Sequence, residues 1–257
     1  MKRFIRWILN HIPRTALQRI AGWAVPVMGL AYLGRGRECP ICHTRRRRFL
    51  PYGYVRSRED ALCPGCLSLE RHRMIWLWIE RNTDLSESRP RLLHIAPEAS
   101  LMRHFRRLYR GSEGYITADL ESPLADMHFD VQSIPLAERS IDVVIANHLL
   151  EHIADDRLAL REIYRILRPG GWGILLVPED RARATTFEDD SITDPEERTR
   201  LFGQYDHRRV YGRDYDDRVR EAGFEVERIP FESMLTYDER QLYKVGGDDL
   251  IVVRKPL

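Results

Sequence analysis

Four cysteines are the most chemically explicit residues of this chain of 257 residues. They fall as Cys39-Pro-Ile-Cys42 and Cys63-Pro-Gly-Cys66, with 20 residues between the pairs. Each C-x-x-C lets two thiolates reach one ion from a tight knuckle, and proline and glycine suit that turn. Together they offer four sulfur ligands, a closed tetrahedral set that serves structure rather than chemistry, with zinc as the first reading. A rubredoxin-like iron site uses the same S4 geometry, and two disulfides are the remaining alternative. His43 and His72 stand nearby and are read as bystanders. A second reactive group is Asp206-His207-Arg208-Arg209, with Tyr211 two residues on. A histidine titrates near neutral pH and suits proton removal, so His207 is the candidate base with Asp206 orienting it. Arg208, Arg209 and Tyr211 are the candidate substrate contacts, since arginine forks match anionic groups.

The elements that must position these residues are legible further along. Asp142-Val143-Val144-Ile145-Ala146 is a short apolar run of the kind a doubly buried strand requires. Asp156 is expected to cap the next helix, in which Leu158, Leu160, Ile163, Tyr164 and Leu167 recur at helical spacing. Pro169-Gly170-Gly171 is expected to stop it, and Trp172 to Val177 is a second apolar run. Strand, helix and strand in this order make a βαβ unit with a parallel sheet. Upstream, Leu92 to Ala96 and Tyr115 to Asp119 read as the first two strands, with a helix between them. An acid such as Asp119 at the end of a second strand can accept both hydroxyls of a ribose.

The wording S-x-D-V-V, then L-E-H-I, then E-x-x-R-x-L-R-P-G-G and a strand, over residues 140–171, resembles the class I S-adenosylmethionine (SAM) methyltransferases, in particular the type 11 group. The resemblance implies an α/β fold: a Rossmann-like seven-stranded methyltransferase sheet whose last strand runs antiparallel, here with a small N-terminal zinc-ribbon-like module. It implies SAM as cofactor, held by the His94, Ala96 and Glu98 loop, by Asp119 and Leu120, by Asp130 and Val131 at the adenine, and by Ala146 and Asn147 at the methionine end. The chain departs from the family where an acid and a glycine-rich run are expected. His94 replaces the acid, and Ala96, Pro97, Glu98 and Ser100 replace glycines. Glu98 could supply the missing carboxylate to the methionine ammonium. A bacterial subgroup with a zinc-ribbon front carries similar H-I-A-P-E and F-G-Q wording. Glu151 and His152 are read as bracing their loop.

The reading divides the chain into a basic amphipathic arm (1–38), the metal module with a docking helix (39–82) and the methyltransferase domain (91–257). Within the last, residues 180–214 are too long for an ordinary connection and carry Phe187, Phe202, Tyr205 and Tyr211, so they are expected to fold as a substrate cap. Charge is uneven: residues 1–90 carry 17 Lys and Arg against 7 Asp and Glu, and the remainder 24 against 32. A front half at +10 points to an anionic partner such as a membrane surface, a glycan or RNA, or else to a solvated arginine-rich face. The run Ile20–Gly34 is 15 residues, short of the ~20 that span a bilayer as a helix. The arm therefore lies on a membrane surface or packs on protein, and the chain is expected in the cytoplasm, with the inner membrane face as a peripheral option. The acceptor stays open: a small molecule or glycan, RNA, or, for a non-catalytic SAM-fold binding module, none.

Overall fold

The computed structural model describes residues 29–53, 57–246 and 249–257, so the arm expected over residues 1–28 lies outside the described residues. From the N-terminal side, β1 (Leu33–Glu38) pairs antiparallel with β2 (Arg45–Arg46), and β3 (Leu50–Tyr52) with β4 (Arg58–Leu62). The small module thus begins at Leu33, inside the stretch read as arm. Helix α1 (Glu70–Asn82) follows, then β5 (Leu92–Ile95), α2 (Ala99–Leu108), β6 (Tyr115–Asp119), β7 (Met127–His128) and β8 (Ile141–Asn147). Next come α3 (Asp156–Ile166), β9 (Leu167–Leu176), β10 (Phe187–Glu188), α4 (Pro195–Phe202), β11 (Arg209–Val210) and α5 (Tyr215–Glu221). The chain ends with β12 (Glu225–Ile229), α6 (Tyr237–Tyr243) and β13 (Leu250–Arg254).

Seven strands form one sheet in the order β12-β13-β9-β8-β5-β6-β7. β7, β6, β5, β8 and β9 run parallel, and β13 is antiparallel to both neighbours, β9 and β12. This is the Rossmann-like methyltransferase sheet. Its strand order reverses between β5 and β8, so the crevice for a ligand opens at the carboxyl ends of those strands. Leu92, Leu93, Ile141, Val144 and Ile145 are fully buried, which explains why the central strands read as unbroken apolar runs.

Two local expectations are corrected. Asp155, not Asp156, caps α3, accepting from the Leu158 amide at 2.8 Å. Asp156 is instead buried, because Tyr211 and Arg218 hold it. Pro169-Gly170-Gly171 lies within β9 as an irregularity rather than after a helix end, and α3 has already stopped at Ile166. Gly171 is required there, since a Cβ would come within 2.9 Å of the Asp142 carbonyl oxygen and 2.8 Å of that of Arg168.

Helix α1 does more than dock one module on another. Eight successive residues, His72 to Ile79, are buried, so it is a helix covered on all sides. Trp78 meets Trp172 of β9 edge-on at 5.4 Å, and Trp76 meets Phe105 of α2 at 6.1 Å. Burying each such side chain contributes about 1.5–3 kcal/mol or more. Cys39, Phe49 and Cys63 belong to the same apolar core as the sheet. Arg73 of α1 completes the joint. It is fully buried and donates to the carbonyls of Ala61, Ser68, Tyr243 and Lys244 at 2.7–3.0 Å, tying the cysteine module to the loop after α6. No helix among the described residues is long and apolar enough to cross a membrane.

Candidate active site and cysteine cluster

The loop after β5 is where the family pattern and this chain part company, and its geometry shows how the substitutions fit together. Ala96 adopts φ +48°, the left-handed conformation for which a glycine would be the usual residue. Glu98, two residues on, is the residue that precedes α2. Its carboxylate accepts from His94 Nε2 at 3.0 Å and from Asn147 Nδ2 at 3.2 Å, and His72 Nε2 lies 3.5 Å away. The loop thus sets a carboxylate against His94 and Asn147. His94 is fully buried, and its other ring nitrogen shares a hydrogen bond with the Tyr115 hydroxyl at 3.0 Å. Burial alone would raise the Glu98 carboxyl. The facing His72 ring and the His94 hydrogen bond hold it well below the usual carboxylate range, so it is ionised. His72 is pushed down to about 3 by burial, against the pull of Glu98 and with Arg71 and Arg73 adding to the effect. It is therefore neutral. Its Nδ1 accepts from the Leu69 amide at 3.2 Å, which puts the ring proton on Nε2, toward Glu98.

Three of the expected cofactor residues, His94, Glu98 and Asn147, are thus brought into one cluster, with the buried Ala146 beneath it. Asp119 ends β6 one strand away. One carboxylate oxygen accepts from the amides of Glu121 and Ser122 at 2.9 and 2.8 Å, which fixes the side chain. Leu120 beside it is 63% exposed, an apolar surface at the place where an adenine ring is expected to lie. Asp130 is fixed by the Gln132 amide at 2.9 Å, and Val131 is buried. The residues present fit SAM. Asn147 Oδ1 is buried without a hydrogen-bond partner beside an ionised Glu98, acceptors suited to an ammonium group.

Residues 180–214 are folded: β10 and β11 pair antiparallel and α4 lies between them, started by Asp194 and ended by Gly203. The structure corrects the roles assigned within it. Arg209 is 3% exposed and donates to the carbonyls of Leu150, Ile153 and Ala154 and to Glu188, at 2.6–2.9 Å. Tyr211 is fully buried and donates to Asp156 at 2.8 Å. Neither can hold a substrate; both fasten the insertion to the turn after β8. Arg208 remains partly exposed, 3.5 Å from Asp190, with its amide on the Glu151 carbonyl. His207 is half-buried and donates from Nδ1 to the Phe202 carbonyl at 3.1 Å. Asp206, expected to orient it, instead stands 3.5 Å from His152 Nδ1. Burial lowers the His207 pKa from its ordinary value, while Glu151 pulls it up. The rings of His152 and His207 meet edge-on at 4.8 Å.

Sequence reasoning missed His72 and His148. A lone histidine in an apolar helix carries no spacing signal, and His148 reads as loop. It also missed a cleft of about 410 Å³ next to this cluster. Its walls include His148 and Leu176 at the strand ends, Arg71 of α1, Arg58 and Glu59 of β4, and Lys244. Helix α6 was overlooked too, although Thr236 and Glu239 form the reciprocal cap that its sequence advertises.

The four cysteines converge as expected. Cys39 and Cys66 sulfurs are 3.6 Å apart and those of Cys42 and Cys63 are 3.7 Å apart, with no disulfide. A tetrahedron with metal–sulfur bonds of ~2.3 Å has edges of about 3.8 Å, so the sulfurs already stand at ligand spacing. The Gly65 amide lies 3.4 Å from the Cys63 sulfur, and a Cβ at Gly65 would meet the Thr44 hydroxyl at 2.6 Å. The knuckle therefore needs its glycine.

Residues 91–175, one third of the chain, match the family model described as a methyltransferase domain. An arsenite methyltransferase of Aquipseudomonas alcaligenes is 28% identical over 120 residues, 46% of this chain and 32% of that protein. A probable S-adenosylmethionine-dependent methyltransferase of Mycolicibacterium smegmatis is 28% identical over 100 residues, 39% of this chain and 35% of that one. The chain spans about a third of the length of these curated relatives. Among solved structures, the YcgJ protein of Bacillus subtilis aligns with 72% of this chain and 99% of its own, at 15% identity and a TM-score of 0.47. The family match and the two curated relatives support a class I methyltransferase domain over residues 91–175.

Proposed function

We propose that the protein transfers a methyl group from SAM to an O, N or C nucleophile of a small molecule or glycan bound in the cleft beside His148. The observation that carries this reading is the rebuilt loop after β5: Glu98, held by His94 and Asn147, restores a carboxylate where the methionine ammonium of SAM is bound in such sheets. Asp119 takes the ribose hydroxyls, Leu120 and Val131 flank the adenine, and Asp130 meets its amino group. SAM supplies the reactive sulfonium; the protein's part is to hold the nucleophile in line with the methyl carbon. We place activation of the acceptor at the Glu151, His152 and His207 group. Arg71 and Lys244 in the cleft walls, and the partly exposed Arg208, suit an acceptor with an anionic group.

The RNA alternative draws on the Arg45–Arg48 run. There Arg45 is paired with Glu38 at 2.8 Å, and Arg48 stacks on Tyr32 at 5.5 Å. Such engagement weakens the case for a strand-gripping surface. For the cysteine cluster we propose one structural zinc, supported by the sulfur spacing. The experiment for the main reading is SAM-dependent labelling of cell extract by the purified protein. Labelling by the native chain and its loss in Asp119→Ala supports it; no labelling together with no SAM binding refutes it.

A further inference from the structure

Glu151 is the least explained residue in the molecule. It is fully buried, and neither carboxylate oxygen has a hydrogen-bond partner. His148 Nδ1 stands 3.2 Å from one oxygen without hydrogen-bond geometry. A buried carboxylate in that condition is destabilising unless something positive meets it. Two further groups converge on the same point. One nitrogen each of His152 and His207 lies with a Glu151 oxygen so that all three are within 4.8 Å of one another.

We propose that Glu151, His152 and His207 hold a divalent transition-metal cation next to His148 of the cleft wall, separate from the cysteine site. The donor set, two imidazoles and one carboxylate, is of the borderline kind that takes cobalt, iron or zinc and leaves coordination positions open. Both histidines are braced from behind, as metal-bound histidines are: His207 Nδ1 donates to the Phe202 carbonyl at 3.1 Å, and Asp206 lies 3.5 Å from His152 Nδ1. That bracing leaves His207 Nε2 for the ion. The turn carrying Glu151 and His152 is itself pinned by Arg209 through the Leu150, Ile153 and Ala154 carbonyls. Ligands at ~2.1 Å from one ion stand roughly 3.0–3.5 Å apart, so closing the set needs a movement of about 1 Å.

The cation deepens the methyl-transfer reading and rests on it for its role. A hydroxyl of the acceptor, polarised by the cation, loses its proton to water, and its oxygen bonds to the methyl carbon. The sulfur–methyl bond breaks with its electron pair staying on sulfur, leaving the neutral thioether. His207 then acts as a ligand and not as a free base.

The test is a calorimetric titration of the zinc-loaded full chain with cobalt(II), followed in parallel by visible absorption. About one cobalt per chain is expected beyond the zinc, with the spectrum of nitrogen and oxygen ligation. Glu151→Gln and His207→Asn should each weaken it by about tenfold or more. Glu151→Gln should melt no lower than the native protein without cobalt, because it removes an uncompensated buried charge, and should lose the rise in melting temperature that cobalt gives the native chain. Its affinity for S-adenosylhomocysteine should stay within about threefold, which separates this site from the cofactor site. No cobalt uptake, equal uptake by both variants, or cobalt appearing only as a thiolate complex overturns the proposal. Cobalt binding without any S-adenosylhomocysteine binding would leave the cation site standing and remove the methyl-transfer reading.

Discussion

Replacing Glu98 by glutamine tests the rebuilt loop with one atom changed. In the native protein the carboxylate faces three nitrogens, those of His94, Asn147 and His72, at 3.0, 3.2 and 3.5 Å. A glutamine keeps the size but can present only one oxygen; its NH2 must then confront a donor. Unfolding free energy should change little, since the loss of hydrogen bonds to a charged group is offset by the removal of a buried charge. Cofactor binding should change much more. One charge-assisted contact to the methionine ammonium contributes about 1.5–3 kcal/mol, or about tenfold to a hundredfold in dissociation constant. Calorimetry with S-adenosylhomocysteine measures this directly. Methylthioadenosine, which has the same adenosine but no amino-acid portion, is the control, and its affinity should be unaltered. A folded Glu98→Gln protein that binds S-adenosylhomocysteine as tightly as the native chain would refute the assignment. An equal loss for both ligands would show that the substitution had merely disturbed the pocket.

Other consequences are as direct. Cys63→Ser should lower bound zinc from about one per chain to none and weaken cofactor binding as well, because α1 carries both Arg73 and His72; unchanged zinc by metal analysis would contradict the tetrahedral set. Burial holds the His72 pKa at about 3, below its unfolded value of ~6.5. The unfolded state then binds the extra proton between those two values, so stability is fully present above ~6.5 and falls as pH drops through that window. His72→Gln should flatten this slope in urea unfolding followed from pH 7 to pH 4. Glu188 is held down to about 2 by Arg218 and Arg209 against its own burial, and contributes stability that is present above its unfolded pKa and lost as pH falls toward 2. Proteolysis of the 180–214 insertion should accordingly quicken in acid, and in Glu188→Gln should depend less on pH; an unchanged acid response would contradict the clamp.

Much of the sheet could be read in advance because a strand covered on both faces has little choice of residue, and Leu92–Ile95 and Ile141–Asn147 are written that way. The cysteine cluster was equally plain, since two C-x-x-C turns with no other cysteine admit few geometries. What stayed hidden shares one physical cause: charged and aromatic types serve a binding surface and a buried clamp equally well. Arg209 and Tyr211 looked like substrate contacts, yet three carbonyls, Glu188 and Asp156 claim them in the interior. Asp206 and His207 are adjacent in sequence, but the turn sends the aspartate toward His152. His72 could not be linked to Glu98 from sequence, because 25 intervening residues fold away before the two meet.

Whether the crevice at the ends of β5, β6 and β8 binds SAM is measured by titration of the zinc-loaded chain with S-adenosylhomocysteine. One site per chain is expected, weakened about tenfold to a hundredfold in Asp119→Ala, where the hydrogen bonds to the ribose hydroxyls are lost. Absence of binding by the folded native chain, or an Asp119→Ala protein with native affinity, would contradict that reading.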